Sequence, residues 1–219
     1  MIDEILPAVV MSAESFGDEP DAWLFPEERT ALGEVGEPRR REYTTVRHCA
    51  RRALGGLGLA PAPLVAGPRG APRWPEGVVG SMTHCAGYRA AATAHRSDVH
   101  TLGIDAEPHA PLPDGVLEYI ALPREASEVT RLARHTPAVH WDRLLFCAKE
   151  AVYKAWFPAT QSWLGFDGAA ISLAPDGTLL ARVLSPAPSQ HVAAPREFAG
   201  RWLVRDGLVL ACVVSPTLD

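Results

Sequence analysis

The chain has little cysteine, no long apolar run and no excess of basic residues. Its four cysteines in 219 residues are Cys49, Cys85, Cys147 and Cys212. They are far apart and form no Cys-x-x-Cys pair, which excludes a disulfide framework and reads as reduced, mostly buried thiols of a cytosolic protein. His84 beside Cys85 lacks a matching second pair and is a weak zinc signal. No apolar stretch reaches the length of a membrane span. Residues 1–11 are partly apolar, but Asp3 and Glu4 stand where a basic region belongs and Pro7 interrupts, so no signal peptide is read there. Against 26 Asp and Glu there are 21 Lys and Arg, a net charge of −5. That balance argues against nucleic acid as the main partner, although a local basic site can still exist.

What is present is a foldable core. The chain is 47% hydrophobic and 21% charged, enough for one large or two small domains and unlike a disordered chain. Residues 1–37 are acidic and loop-rich, and read as a packed cover anchored by Phe16, Trp23, Leu24 and Phe25. From Arg39 to Leu57, Tyr43, Val46, Ala50, Ala53, Leu54 and Leu57 share one helical face, and Arg40, Arg47 and Arg51 lie beside it. Gly55, Gly56 and Gly58 are expected to stop that helix. Gly80 to His84 is expected to be a loop whose backbone N–H groups converge. It would lead into a strand at 88–94, a turn at 95–98 and a return strand at 99–104. Short helices are expected at 116–121 and 124–134, with Thr136-Pro137 opening the next one. Two hairpins follow, 169–183 and 198–214, separated by a Pro/Ser/Ala-rich loop at 185–195.

Two short stretches carry chemistry. In Gly103-Ile104-Asp105-Ala106-Glu107, strand alternation puts Asp105 and Glu107 on one face. Adjacent carboxylates repel unless a cation lies between them, and a hard divalent ion is the usual solution. In Phe146-Cys147-Ala148-Lys149-Glu150-Ala151-Val152-Tyr153-Lys154, the apolar face runs from Trp141 and Leu144 to Ala155 and Trp156. Glu150 lies about opposite it, with Lys154 close by and Lys149 at the flank. Taken alone, an Asp-x-Glu at a strand end is more often a solvated rim than a metal site, and Glu150 with Lys154 is also an ordinary helix pair.

Gly-Ile-Asp-x-Glu followed by Lys-Glu-Ala-x-x-Lys resembles the paired signature of phosphopantetheinyl transferases of the two-subdomain, Sfp type. Thr45 to Arg51, Gly80 to Tyr88 and Trp141 also match, most nearly to an actinobacterial branch, over about three quarters of the chain. The resemblance implies an α+β fold of two pseudo-equivalent subdomains, each an antiparallel sheet packed with helices. They would cover 1–104 and 105–219, with the active site in the cleft between. It implies transfer of the 4′-phosphopantetheine arm of coenzyme A to a serine of an acyl or peptidyl carrier protein. Asp105, Glu107 and Glu150 would hold Mg²⁺ (or Mn²⁺), with Glu150, Lys154 and Asp105 catalytic. Coenzyme A would meet Arg39, Arg40, Arg47, Arg69, Met82, Thr83, His84, Asp105, Lys149 and Lys154. Where Ala71 stands, many relatives have a polar residue. A cytoplasmic monomer acting without nucleic acid or membrane is expected. The rival readings are a coenzyme A or nucleotide-binding protein without turnover, and a metal-dependent phosphohydrolase.

Overall fold

The computed structural model describes residues 1–184 and 195–216. The expected loop at 185–195 therefore lies, but for its last residue, outside the described part. Strands β1 (Met11–Ser15), β2 (Val78–Cys85) and β3 (Tyr88–His95) form one antiparallel sheet in the order β1-β3-β2. Strands β4 (Val99–Pro108), β5 (Ala169–Leu173), β6 (Thr178–Val183), β7 (Glu197–Arg205) and β8 (Leu208–Pro216) form a second, in the order β4-β8-β7-β6-β5. Helices α1 (Pro26–Leu32) and α2 (Glu37–Gly56) belong to the first half; α3 (Val116–Ile120), α4 (Pro123–His135) and α5 (Trp141–Thr160) belong to the second. This is the mixed helix-and-antiparallel-sheet architecture expected. Among the described residues no helix is long and apolar enough to cross a membrane.

Several local expectations are corrected. Gly80 to His84 is not a loop but lies inside β2, where the backbone is committed to the ladder with β3. The turn at 95–98 does reverse the chain, yet β4 does not pair with β3; it pairs along its length with β8. The expected boundary between residues 104 and 105 falls inside this strand. Thr136 caps the C-terminus of α4, its N–H bonded to Leu132, and α5 starts later, at Trp141. Helix α5 also runs through Pro158 to Thr160, where Gln161 in the left-handed region (φ 54°) ends it. The hairpins β5–β6 and β7–β8 are as read.

Alternation along the strands builds three apolar clusters. Ala90, Ala92 and Ala94 of β3 meet Leu102, Ile104 and Ala106 of β4 and Leu208 and Leu210 of β8 in a middle core shared by both sheets. Helix α2 covers the other face of the first sheet through Cys49, Ala50 and Leu54. Helix α5 covers the second through Leu144, Ala148, Val152 and Ala155. The edge strands β2 and β4 lie alongside each other without a backbone ladder among the described residues. Side-chain hydroxyls replace it: Ile104 N donates to Ser81 Oγ (3.1 Å) and Ala106 N to Thr83 Oγ1 (3.1 Å). Buried backbone groups are thereby satisfied at the seam.

Thr101, Gly103 and Asp105 turn toward α5. Thr101 donates to Ala155 O at 2.6 Å. A Cβ on Gly103 would stand 2.0 Å from Ala151 O, so only glycine lets the helix backbone lie this close. Gly103→Ala should destabilise the fold by about 1–3 kcal/mol or more, the usual cost of overpacking, and should displace Lys154 from Asp105. Urea unfolding with a midpoint equal to the parent's would show that the helix can move away without loss.

Candidate active site

A cavity of about 330 Å³ opens between α2 and α5 above the β2–β4 seam. Helix α2 supplies Arg39, Tyr43 and Arg47; β2 supplies Ser81, Met82 and His84; α5 supplies Glu150, Tyr153 and Lys154; and the loop Arg69-Gly70-Ala71 closes one side. The spacing of α5 explains its contribution, since Glu150 and Lys154 are one turn apart on one face.

At the base of the cavity Lys154 Nζ lies 2.6 Å from Asp105 Oδ1, which also accepts a 3.0 Å bond from Thr83 Oγ1. Burial works against the Lys154 ammonium, but Asp105, with Glu150 beyond it, outweighs burial and raises its pKa above the ordinary lysine value. Asp105 Oδ2 is buried and has no partner. Glu107 accepts from Arg143 Nη1 at 3.0 Å. Burial and the neighbouring Asp105 raise the Glu107 pKa despite that arginine. Glu150 is raised too, by burial first and then by Asp105 and Glu107, against the pull of Lys154.

These carboxylates are short of positive charge. Among the described residues no three His, Cys, Asp or Glu side chains already converge as a cation cage. Asp105 is turned to Thr83 and Lys154, and Glu107 to Arg143. The donors present nevertheless suit a hard cation: all are carboxylate oxygens, one is a buried oxygen without a partner, and each glutamate is held away from its comfortable ionised state by the others.

The opposite wall is basic. Arg39 Nη1 lies 2.9 Å from His84 Nε2, and His84 Nδ1 is 3.7 Å from Glu42. Burial lowers the His84 pKa more than Glu42 raises it, so the ring is neutral at pH 7 and Nε2 accepts from the arginine. Arg47 is buried. It donates to Leu64 O (3.0 Å) and Tyr43 O (3.4 Å), stacks on the Tyr43 ring and sits 3.8 Å from the wholly buried Glu28. Burial lowers its pKa to about 10. Arg69, in the left-handed region at φ 54°, lines the cavity and places its guanidinium 5.1 Å from the Trp163 ring.

Not every expected residue joins this group. Arg40 pairs with Glu37 on an exposed surface and lines a separate groove. Thr83 is buried in the seam and acts through Asp105. Lys149 faces the other flank of α5, where Glu125 (2.8 Å), Phe166 O (2.6 Å) and Ala169 O (2.9 Å) take its three N–H donors. That geometry gives it a structural role in place of the expected phosphate contact.

Sequence reasoning missed Glu28 and Arg143. Glu28 is a buried acceptor for Arg51, Leu64 N and Phe25 N, and nothing marks it among the acidic residues around it. Arg143 was legible in principle, because it lies seven residues before Glu150 on the same helical face. The cysteines are all free.

Residues 27–94 match the 4′-phosphopantetheinyl transferase N-terminal domain and residues 101–212 match the 4′-phosphopantetheinyl transferase superfamily. The chain is 50% identical to 4′-phosphopantetheinyl transferase Svp of Streptomyces mobaraensis, over 97% of this chain and 88% of that protein. It is 46% identical to 4′-phosphopantetheinyl transferase PptT of Mycobacterium tuberculosis (98% and 97% covered). Identity to 4′-phosphopantetheinyl transferase Npt of Nocardia iowensis is 47% (97% and 99% covered).

The raised Glu150 pKa has a consequence for stability. The native state holds this proton more tightly than the unfolded chain, so ionising Glu150 costs stability. That cost is complete above the folded pKa and vanishes below the unfolded value, near 4.5. Glu150→Gln should therefore melt higher than the parent at pH 7, with the difference shrinking as pH falls toward that value. Thermal melts of both proteins across this range test it, and a variant that melts lower at pH 7 would contradict it.

Proposed function

The chain belongs to the 4′-phosphopantetheinyl transferase superfamily and is a phosphopantetheine-transferring enzyme; from that premise we propose how the cavity performs the transfer. The donor is coenzyme A, and the acceptor is a serine of an acyl or peptidyl carrier protein in the cytoplasm. The serine oxygen forms a bond to the phosphorus that carries the pantetheine arm, the pyrophosphate P–O bond breaks, and 3′,5′-ADP leaves. The observation that carries this reading is Glu150 and Lys154 in the cavity wall, opposite Arg39 and His84, with Asp105 bonded to Lys154 and Glu107 close enough to raise the Glu150 pKa.

Glu150 accepts the serine proton, directly or through a water. Its raised pKa brings it toward the range where a general base works best near neutral pH. Lys154 faces the pyrophosphate. Because its own pKa is raised, it keeps its proton, which suits stabilising charge on the departing ADP more than protonating it. Asp105 holds Lys154 in place. Asp105, Glu107 and Glu150 would hold Mg²⁺ or Mn²⁺. When bound, such an ion neutralises pyrophosphate charge. Arg39 and His84 meet the 3′-phosphate end, with Met82 and the Arg69 loop beside the nucleoside. Arg47 shapes the same wall from beneath.

Incubating a carrier protein with coenzyme A, Mg²⁺ and the enzyme should add one phosphopantetheine mass to its serine. Free phosphopantetheine with an unmodified carrier would point instead to hydrolysis. Glu150→Gln should still bind coenzyme A while turnover falls by roughly 10²–10⁴-fold; near-parent turnover would remove it as the base.

The 3′-phosphate assignment has its own test. Arg39 is exposed and bonded to His84, so it can swing to a phosphate and make paired, charge-assisted bonds. Each such bond is worth about 1.5–3 kcal/mol. Arg39→Ala and His84→Ala should raise KM for coenzyme A about 10- to 100-fold, with much less effect on dephospho-coenzyme A. Their effects should also be non-additive. Equal losses on the two donors would refute the assignment.

A further inference from the structure

Arg143 has no part in the steps above, yet its side chain ends at the carboxylate cluster. Its Nε donates to Ala110 O at 3.1 Å and its Nη2 to Pro111 O at 2.9 Å. The third nitrogen, Nη1, donates to Glu107 Oε2 at 3.0 Å. Two of the three nitrogens are therefore fixed by main-chain carbonyls, and a planar guanidinium held at two points has no freedom at the third. The side chain is only 16% exposed, and its bond to Glu107 is part-buried, whereas the two carbonyl bonds lie at the surface.

The carbonyls are themselves held. Asp142, the preceding residue, accepts from Leu112 N at 2.7 Å. His140 N donates to His109 Nε2 at 3.1 Å, and the two imidazoles lie 4.7 Å apart. His109 N in turn bonds Gly207 O at 2.8 Å. The segment leaving β4 is thus fastened to the start of α5 and to the β7–β8 turn. Arg143 is aimed by a framework that does not include Glu107.

We infer that Arg143 is the positioning residue for Glu107: its guanidinium, aimed by Ala110 and Pro111, fixes the glutamate's orientation so that the carboxylate is ready to ligate the divalent ion. This rests on the reading of Glu107 as a metal ligand. A simple counter-charge makes a different prediction. Removing the charge would favour a divalent cation, whereas losing the fork while keeping the charge would do nothing.

R143K keeps the charge and loses the planar fork, which separates the two ideas. Mn²⁺ binding in the presence of coenzyme A, read by electron paramagnetic resonance, is measured for the parent, R143K, E107Q and the double variant. E107Q and R143K should each weaken Mn²⁺ binding by about 10- to 100-fold, the usual effect of losing a ligand's supporting hydrogen bond. The double variant should bind no more weakly than E107Q alone, because Arg143 acts through Glu107. Parent-like affinity in R143K, or losses that add, would overturn the inference while leaving Glu107 a ligand. Unchanged affinity in E107Q would instead overturn the ligand reading and this inference with it. Thermal melts accompany each measurement. Should R143K be unfolded at the assay temperature, R143Q, which also loses the fork, takes its place with the same expectation.

Discussion

Helix α5 lies on strand β4 with no side chain between them at Gly103, where the helix carbonyl of Ala151 occupies the space of a Cβ. The rest of the site follows from that approach. Strand alternation then turns Asp105 toward the same helix, and one turn along α5 from Ala151 the ammonium of Lys154 reaches it at 2.6 Å. Thr101 ties the strand to the helix at Ala155 O. On the other edge of β4, the hydroxyls of Ser81 and Thr83 take the place of a ladder. Because Thr83 both accepts from Ala106 N and donates to Asp105, the first sheet fixes the same carboxylate that the helix pairs. Besides the shared middle core, the two halves thus meet at one aspartate.

That arrangement works against stability. Asp105 keeps one buried oxygen without a partner, and Glu107 and Glu150 are both pushed toward their neutral forms by burial and by their neighbours. A fold selected only for stability would not leave such groups incompletely compensated. Such perturbed groups gathered beside a cavity are the pattern that functional sites favour.

Much of this was legible in the sequence, for physical reasons that vary by residue. Asp105, Glu107, Glu150 and Lys154 were visible because strand period and helix period are local properties, and each placed its pair correctly. The partner of β4 was not visible. Adjacent strands joined by a four-residue turn normally pair, and only the shared middle core of β3, β4 and β8 shows why β4 joins the other sheet. Gly80 to His84 looked like a loop because glycine, serine and threonine are small and polar. Here those same properties let Gly80 sit against Trp74 and let Ser81 and Thr83 cap β4. Lys149 differs from Lys154 by five residues, which on a helix is about 140° round the axis. Only the position of Glu125 reveals that it is committed elsewhere.

The cations around the cavity fall into two kinds, and the distinction decides what each can do. Arg143, Arg47 and Lys149 all donate to main-chain carbonyls. Such acceptors do not move when a ligand enters, so these side chains orient neighbours and shape walls. Arg39, Arg69 and Lys154 have side-chain partners instead: His84, the Trp163 ring and Asp105. Contacts of this kind can be exchanged for a charge-assisted one without moving the backbone, except that of Lys154, which Asp105 already holds by a charge-assisted bond. A basic stripe in the sequence of α2 therefore divides in the structure. Arg47 and Arg51 turn inward to the buried Glu28, while Arg39, one turn before the buried Tyr43, stays exposed and bonds the side chains of His84 and Glu42. The division follows a single buried glutamate of α1, Glu28, which lies 3.1 Å from Arg51 and 3.8 Å from Arg47 and is out of reach of the exposed Arg39.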